Sequence, residues 1–232
     1  MLLAELEVYH SRPAQPTRRI ALGHLMLPID PPPGVGGLLL GAVAARFARE
    51  CDSDDLSSVE RLLSEVADGV RIVQPRLRHR YQVDRHGLAM SRHRLCADGD
   101  DLNFEFDEKG SAMSQVLGAL YAIERLEMGL RLEIAAVVRR GLRWRGPIGP
   151  ALIGYLAGSQ HASIAALADP RGWALERLGF TVSDVSPSTR EISRRYRQRM
   201  RDVHPDHGGD AESASGAIRE LAEARRILSS QS

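Results

Sequence analysis

The chain has 232 residues, 43% of them hydrophobic, so it can bury one large core or two smaller ones. Its formal net charge is only +1, which argues against a globally basic nucleic-acid binder and against an acidic solvating tail. Glu5 and Glu7 interrupt the N-terminus before any long apolar segment, and the apolar stretch 34–45 is too short to span a bilayer. We therefore expect no membrane segment and a cytoplasmic location.

The first hundred residues change pattern twice. Residues 11–34 hold six prolines and are predicted to be irregular or extended. Helical periodicity of apolar residues follows over 37–50 and again over 54–67. Residues 70–107 instead alternate between polar and apolar, with glycines where turns should fall, and predict three or four short antiparallel strands.

Helical patterns return after the strands. Residues 111–140 predict one long helix, or two helices broken near Gly129, and residues 150–167 predict one or two short helices. The scattered histidines do not form a metal-ligand pattern, so we expect neither a metal nor another cofactor. Residues 1–170 are thus predicted to form an α+β domain of helices and a small antiparallel sheet, whose role is left open.

A helix with a defined start is predicted near the carboxyl end. Ser188 and Glu191 have the spacing of a capping box, in which each side chain accepts a hydrogen bond from the other residue's amide. The helix is predicted to continue from Ile192 to Val203 and to end before Pro205, because proline disfavours helical backbone in the residue that precedes it.

This helix has two chemically different faces. At about 100° per residue, its apolar side chains fall on one face and four arginines fall on the other. The four are Arg190, Arg194, Arg197 and Arg201; we call them the arginine stripe. Such a stripe favours fast association with an acidic surface. Arg199 falls near the centre of the apolar face, and we expect Met200 to fill that space while Arg199 extends outwards.

A second amphipathic helix follows a polar turn. The sequence His207-Gly208-Gly209-Asp210 predicts the turn, and the helix is predicted from Glu212 to Ser229. Its apolar face consists of Ala214, Ala217, Ile218, Leu221, Ala224 and Leu228. Two amphipathic helices joined by a tight polar segment are expected to pack as an antiparallel hairpin.

These C-terminal residues resemble the J-domain family. The resemblance consists of Tyr196, a gap of seven residues, the tripeptide His204-Pro205-Asp206, and the apolar helix after it. Leu175, Leu178 and Gly179 resemble the short first helix of that family and its Leu-Gly ending. The resemblance implies an all-α J-domain, with its antiparallel helical hairpin, at residues 171–232.

The resemblance also implies a function. The protein would be a co-chaperone that stimulates the ATPase of a DnaK-type heat-shock chaperone and would perform no chemistry itself. His204, Pro205 and Asp206 would contact the ATPase domain and the interdomain linker of that partner. The arginine stripe would dock on its acidic surface, while residues 1–170 would select a client or a location.

Two other interpretations use the same residues. A degenerate J-like helical hairpin could act as a protein- or nucleic-acid-binding module, since arginines also contact phosphates. A metal-dependent hydrolase would use His204, Asp206 and His207, which are fewer ligands than a typical site contains. The co-chaperone is preferred because it accounts for the tripeptide and both helices together, and neither a nucleic acid nor a membrane is the expected partner.

Overall fold

The computed structural model describes residues 1–70, 78–98, 101–158, 170–180, 187–203 and 211–229. The chain forms two compact units, Met1–Ala162 and Ser163–Ser232. The described elements of the first unit are strands and helices, and those of the second are all helices.

A five-stranded sheet organises the N-terminal unit, with the strand order β3-β2-β1-β4-β5. The strands are β1 (Leu2–Arg12), β2 (Gln15–Met26), β3 (Arg80–Tyr81), β4 (Ala89–Asp98) and β5 (Asp101–Phe106). Neighbouring strands pair antiparallel, except that β3 lies parallel to β2 at the edge of the sheet.

The central strand β1 sends alternate side chains to opposite faces of the sheet, as the period of two requires. Leu6 is fully buried in the apolar core. Glu5 and Glu7 lie on the other face, where they pair with Arg94 and Arg92 of β4. The two faces of β1 thus carry an apolar core and a network of ion pairs.

Five helices in the described stretches complete this unit. They are α1 (Gly34–Phe47), α2 (Ser53–Ala67), α3 (Ala112–Glu124), α4 (Met128–Arg143) and α5 (Pro150–Ala157), and a 3-10 turn (Ala48–Glu50) follows α1. Helix α1 is buried along almost its whole length and packs on α3, α4 and the sheet. Within the described stretches, no helix combines the length and the apolar character that a membrane span needs.

Helices α1 and α4 cross at two glycines. A Cβ atom added to Gly141 of α4 would overlap the backbone carbonyl oxygen of Gly41 in α1. Both glycines are buried. The backbones therefore touch at this crossing, which only a residue without a side chain permits.

The C-terminal unit contains three described helices around one apolar core. They are α6 (Pro170–Leu178), α7 (Thr189–Val203) and α8 (Ala211–Ser229). The buried core residues are Trp173, Ala174, Leu178, Ile192, Leu221, Ala224, Ile227 and Leu228. Helices α6 and α7 both pack on α8.

The predicted fold class is wrong as a whole, although the helices and the sheet of its N-terminal α+β half are present. In the first half the sheet is mixed rather than antiparallel, because β3 pairs in parallel with β2. Strand β2 and the end of β1 also occupy part of residues 11–34, for which an irregular segment was predicted. The prolines of that segment lie in the turn before β2, at its first residues and after its end, where a strand tolerates them.

In the second half, a J-domain with a short first helix and an antiparallel hairpin of the two following helices was predicted; three helices around one core are observed, and that hairpin cannot be concluded from them. Helix α6 supplies Trp173, Ala174 and Leu178 to that core, so α7 and α8 do not enclose it alone. Residues 204–210, between α7 and α8, lie outside the described residues. The structure therefore establishes a three-helix cluster and no J-domain hairpin.

Candidate partner-binding surface

Helix α7 begins with the predicted capping box. The backbone N–H of Ser188 donates to Oε2 of Glu191 at 2.9 Å, and the backbone N–H of Glu191 lies 3.4 Å from Oγ of Ser188. The prediction from the Ser-x-x-Glu spacing is confirmed. These contacts satisfy amides that a helix start leaves without partners and so fix where α7 begins.

One face of α7 is anchored in the core of the unit. Ile192 is only 1% exposed, and Tyr196, Met200 and Val203 pack against the same core. Leu221 of α8 belongs to that core as well. Tyr196 and Leu221 therefore face a common interior, and the opposite face of α7 is left outside.

The arginine stripe lies on this outer face of α7. All four of its members are exposed, and in the described part of the chain none of them forms an ion pair. Two other arginines of the unit are paired: Nε of Arg177 lies 3.3 Å from Glu220, and Nη2 of Arg226 lies 2.6 Å from Glu223. The charge of the stripe is thus not neutralised by carboxylates of the residues that the structure describes.

Two arginines of α7 have contacts that restrict their side chains. Nε of Arg197 donates to the backbone carbonyl of Ser193 at 3.2 Å, which leaves its remaining N–H groups for a partner. Arg199 is exposed, and its guanidinium lies so close to Gly179 that a Cβ atom added to this glycine would clash with it. Met200 packs on the core, so the predicted exchange between Met200 and Arg199 is confirmed.

Two further arginines lie over aromatic rings. The guanidinium carbon of Arg195 is 5.5 Å from the centroid of the Phe180 ring, and that of Arg225 is 4.9 Å from the centroid of the Tyr196 ring. Both distances are typical of cation–π contacts. The sequence pattern did not identify these pairs, because they join residues from different elements and depend on how those elements pack.

The predicted contact residues His204, Pro205 and Asp206 lie outside the described residues. Other parts of the sequence pattern are described. Gly179 has a φ of +73° and its N–H donates to the carbonyl of Glu176 at 2.9 Å, which ends α6 with a left-handed glycine. The helix with the Leu-Gly ending is therefore present, and it packs on α8.

A buried cluster of polar side chains lies inside the N-terminal unit. His10, Ser91, His93 and Gln115 are at most 1% exposed and form a hydrogen-bonded network, in which Nε2 of His10 lies 2.9 Å from Oγ of Ser91. The cluster links β1, β4 and α3 by hydrogen bonds within the core. Among the described residues, no three His, Cys, Asp or Glu side chains are grouped so that they could hold a metal ion.

Comparison with known proteins finds no family model that matches the chain, and neither a curated protein nor a solved structure matches it significantly. The features of the C-terminal unit that bear on function are its J-domain-like sequence pattern and the exposed arginine stripe, which forms no ion pair with any described residue.

Proposed function

We propose that the C-terminal unit is the active part of a J-domain-like co-chaperone, which binds a DnaK-type heat-shock chaperone and stimulates its ATP hydrolysis. The observation that carries the proposal is the two-faced character of α7. One face is anchored by Ile192 and Tyr196 in the core, and the other presents to solvent four arginines that have no ion pair with a described residue. This arrangement fits a helix that docks on an acidic protein surface.

Each part of the sequence pattern has a role in this proposal. The arginine stripe steers the encounter and sets the orientation, because electrostatic attraction acts on the association rate more than on the final affinity. His204, Pro205 and Asp206 contact the ATPase domain and the interdomain linker of the partner. The proline restricts the backbone of this tripeptide, and preorganisation lowers the entropic cost of binding.

The protein itself performs no chemistry in this proposal and uses neither a metal nor a cofactor. The N-terminal unit selects the client or the location of the complex. The protein acts in the cytoplasm, where DnaK-type chaperones meet newly made and unfolded chains. No membrane contact is part of the proposal.

The test is a steady-state ATPase assay of a bacterial DnaK-type chaperone with the full-length protein. The wild type is expected to accelerate ATP turnover, and His204→Gln is expected to abolish the acceleration. His207→Gln is the matched control, because it makes the same chemical change three positions further on and should retain most of the stimulation. Equal turnover with the wild type and with His204→Gln would contradict the proposal.

The same protein preparations test the nucleic-acid alternative. A phosphate-binding module would retain a short single-stranded oligonucleotide, release it steeply as salt is raised, and be indifferent to His204→Gln. That outcome, without ATPase stimulation, would replace the co-chaperone with a nucleic-acid-binding protein.

A further inference from the structure

Arg225 places a positive charge of α8 on the surface of α7. Its guanidinium carbon lies 4.9 Å from the centroid of the Tyr196 ring. Arg225 is exposed, whereas Tyr196 is half-buried and packs on the core. The guanidinium thus contacts the ring and remains accessible to solvent.

The position of Tyr196 on α7 shows where this charge lies. Tyr196 follows the core residue Ile192 by one helical turn, and Arg197 projects about 100° further round the helix. Tyr196 is thus displaced about 40° from Ile192 in the direction of Arg197 and stays within the apolar face, on its side nearer the arginine stripe. Arg225, whose guanidinium stacks on Tyr196, adds an exposed positive charge from α8 beside α7.

Arg225 also differs from the neighbouring arginines in its pairing. In the described stretches it forms no ion pair, whereas the next residue, Arg226, donates to both carboxylate oxygens of Glu223 at 2.9 and 2.6 Å. A guanidinium that stacks on a ring has lost part of its rotamer freedom before a partner binds. Because it is not neutralised by a carboxylate, its charge stays available to that partner. It retains its N–H groups for the paired hydrogen bonds that a carboxylate accepts.

We propose that Arg225 is a fifth arginine contact for the acidic surface of the partner, and that Tyr196 is its positioning residue. This inference rests on the proposed co-chaperone function. It requires an acidic surface on the chaperone that spans both α7 and α8, rather than a strip of carboxylates that follows α7 alone.

The experiment compares full-length Arg225→Gln, Arg225→Lys and Arg177→Gln with the wild type. Arg177→Gln removes the same charge from an arginine that is already paired with Glu220, so it is the matched control. The measured quantities are the half-maximal concentration and the maximal rate of ATPase stimulation, at low and at physiological ionic strength. Circular dichroism verifies that each variant is folded.

Arg225→Gln is expected to raise the half-maximal concentration about threefold to tenfold at low salt, with the maximal rate unchanged. Arg225→Lys should fall between Arg225→Gln and the wild type, because lysine keeps the charge and loses the planar stack on the ring. Arg177→Gln should remain within about twofold of the wild type, as expected for a surface ion pair.

Two outcomes overturn the role of Arg225 while leaving the co-chaperone function intact. One is that Arg225→Gln and Arg177→Gln give the same half-maximal concentration; the other is that the effect of Arg225→Gln does not shrink at higher salt. Failure of the wild type to stimulate the ATPase is a different result, which overturns the proposed function and the role of Arg225 together.

Discussion

Nε2 of His93 lies 2.9 Å from Oε1 of Gln115, and both side chains are fully buried. Gln115 uses its amide nitrogen to donate to Ser91 and to the carbonyl of Lys109, so its oxygen is the acceptor and Nε2 of His93 carries the proton. Nδ1 of His93 has no partner in the described part of the chain. Burial lowers the pKa of His93, and Gln115 and Asp107 oppose this only in part.

This relationship predicts that the N-terminal unit is sensitive to mild acid. Because the folded-state pKa of His93 lies below its ordinary value of 6.5, the unfolded chain binds more protons as pH falls through and below that value. The free energy of unfolding should therefore decrease with falling pH in this window. Hydrogen exchange of the β4 amides, measured above and below pH 6.5, reports the loss.

The variant His93→Gln isolates the titrating group. It should be less stable than the wild type at neutral pH, because the packing around the buried ring is lost, and its stability should depend less on pH between neutral and mildly acidic conditions. His86→Gln is the control, since His86 is exposed, and it should keep the wild-type dependence. Parallel pH profiles for the wild type and His93→Gln would contradict the assignment.

The carboxylate of Glu7 predicts a second loss of stability at lower pH. Burial raises the pKa of Glu7, but hydrogen bonds from the His24 backbone at 2.9 Å and from Arg92 at 2.7 Å, with the charge of Arg92, lower the pKa more strongly. Its stabilising effect is present above the ordinary pKa of 4.5 and is lost as pH falls below that value.

Glu7→Gln should therefore reduce the free energy of unfolding by about 1 to 3 kcal/mol at neutral pH and by less in acid. Urea unfolding at both pH values measures the difference. Glu105→Gln is the control, because the Glu105 side chain is 61% exposed and lies 3.9 Å from Arg94. Its effect should stay below about 0.5 kcal/mol; an equal effect for both variants would show that the buried bonds of Glu7 add nothing.

Substitution of Gly141 tests the crossing of α1 and α4. In an exposed helix, glycine to alanine usually stabilises by up to about 1 kcal/mol. At Gly141 the new methyl group would overlap the carbonyl oxygen of Gly41, so Gly141→Ala should destabilise by about 1 to 3 kcal/mol. Gly129→Ala in the same helix meets nothing within 4 Å and should cause no loss. Thermal unfolding distinguishes the two variants, and equal midpoints would refute the close crossing.

Ser188 tests the start of α7. Ser188→Ala removes the hydroxyl that caps the amide of Glu191 and should cost about 1 kcal/mol. Ser193→Ala, within the same helix, should be neutral or slightly stabilising because alanine is the better helix former. Trp173 lies in the core on which α7 packs, so its fluorescence follows unfolding of this unit. A larger effect at Ser193 than at Ser188 would contradict the capping box.

The elements that could be predicted from the sequence are those with local causes. The periodicity over residues 54–67 closely matches α2, and the expected break near Gly129 is the gap between α3 and α4. The capping box and the outward-facing arginine stripe follow from spacing within one helix in the same way. Each of these features depends only on residues a few positions apart.

The features that could not be predicted depend on packing between distant segments. Strand β2 was not predicted because its segment is rich in proline, although strand ends tolerate proline. The parallel pairing of β3 with β2 is set by the path of the chain between the two strands. The contact between Arg225 and Tyr196 requires the relative placement of α7 and α8. His204, Pro205 and Asp206 lie outside the described residues, so their role as contact residues stays a prediction from the sequence.

The buried groups that titrate in acid are unevenly distributed along the chain. Glu5, Glu7, His10 and His93 are the buried carboxylates and histidines found among the described residues, and all belong to the N-terminal unit, whereas the described core of the C-terminal unit is apolar. Mild acidification should therefore loosen the sheet while the three-helix cluster stays folded. A moderate drop in pH would then perturb one half of the molecule selectively, without cutting the chain.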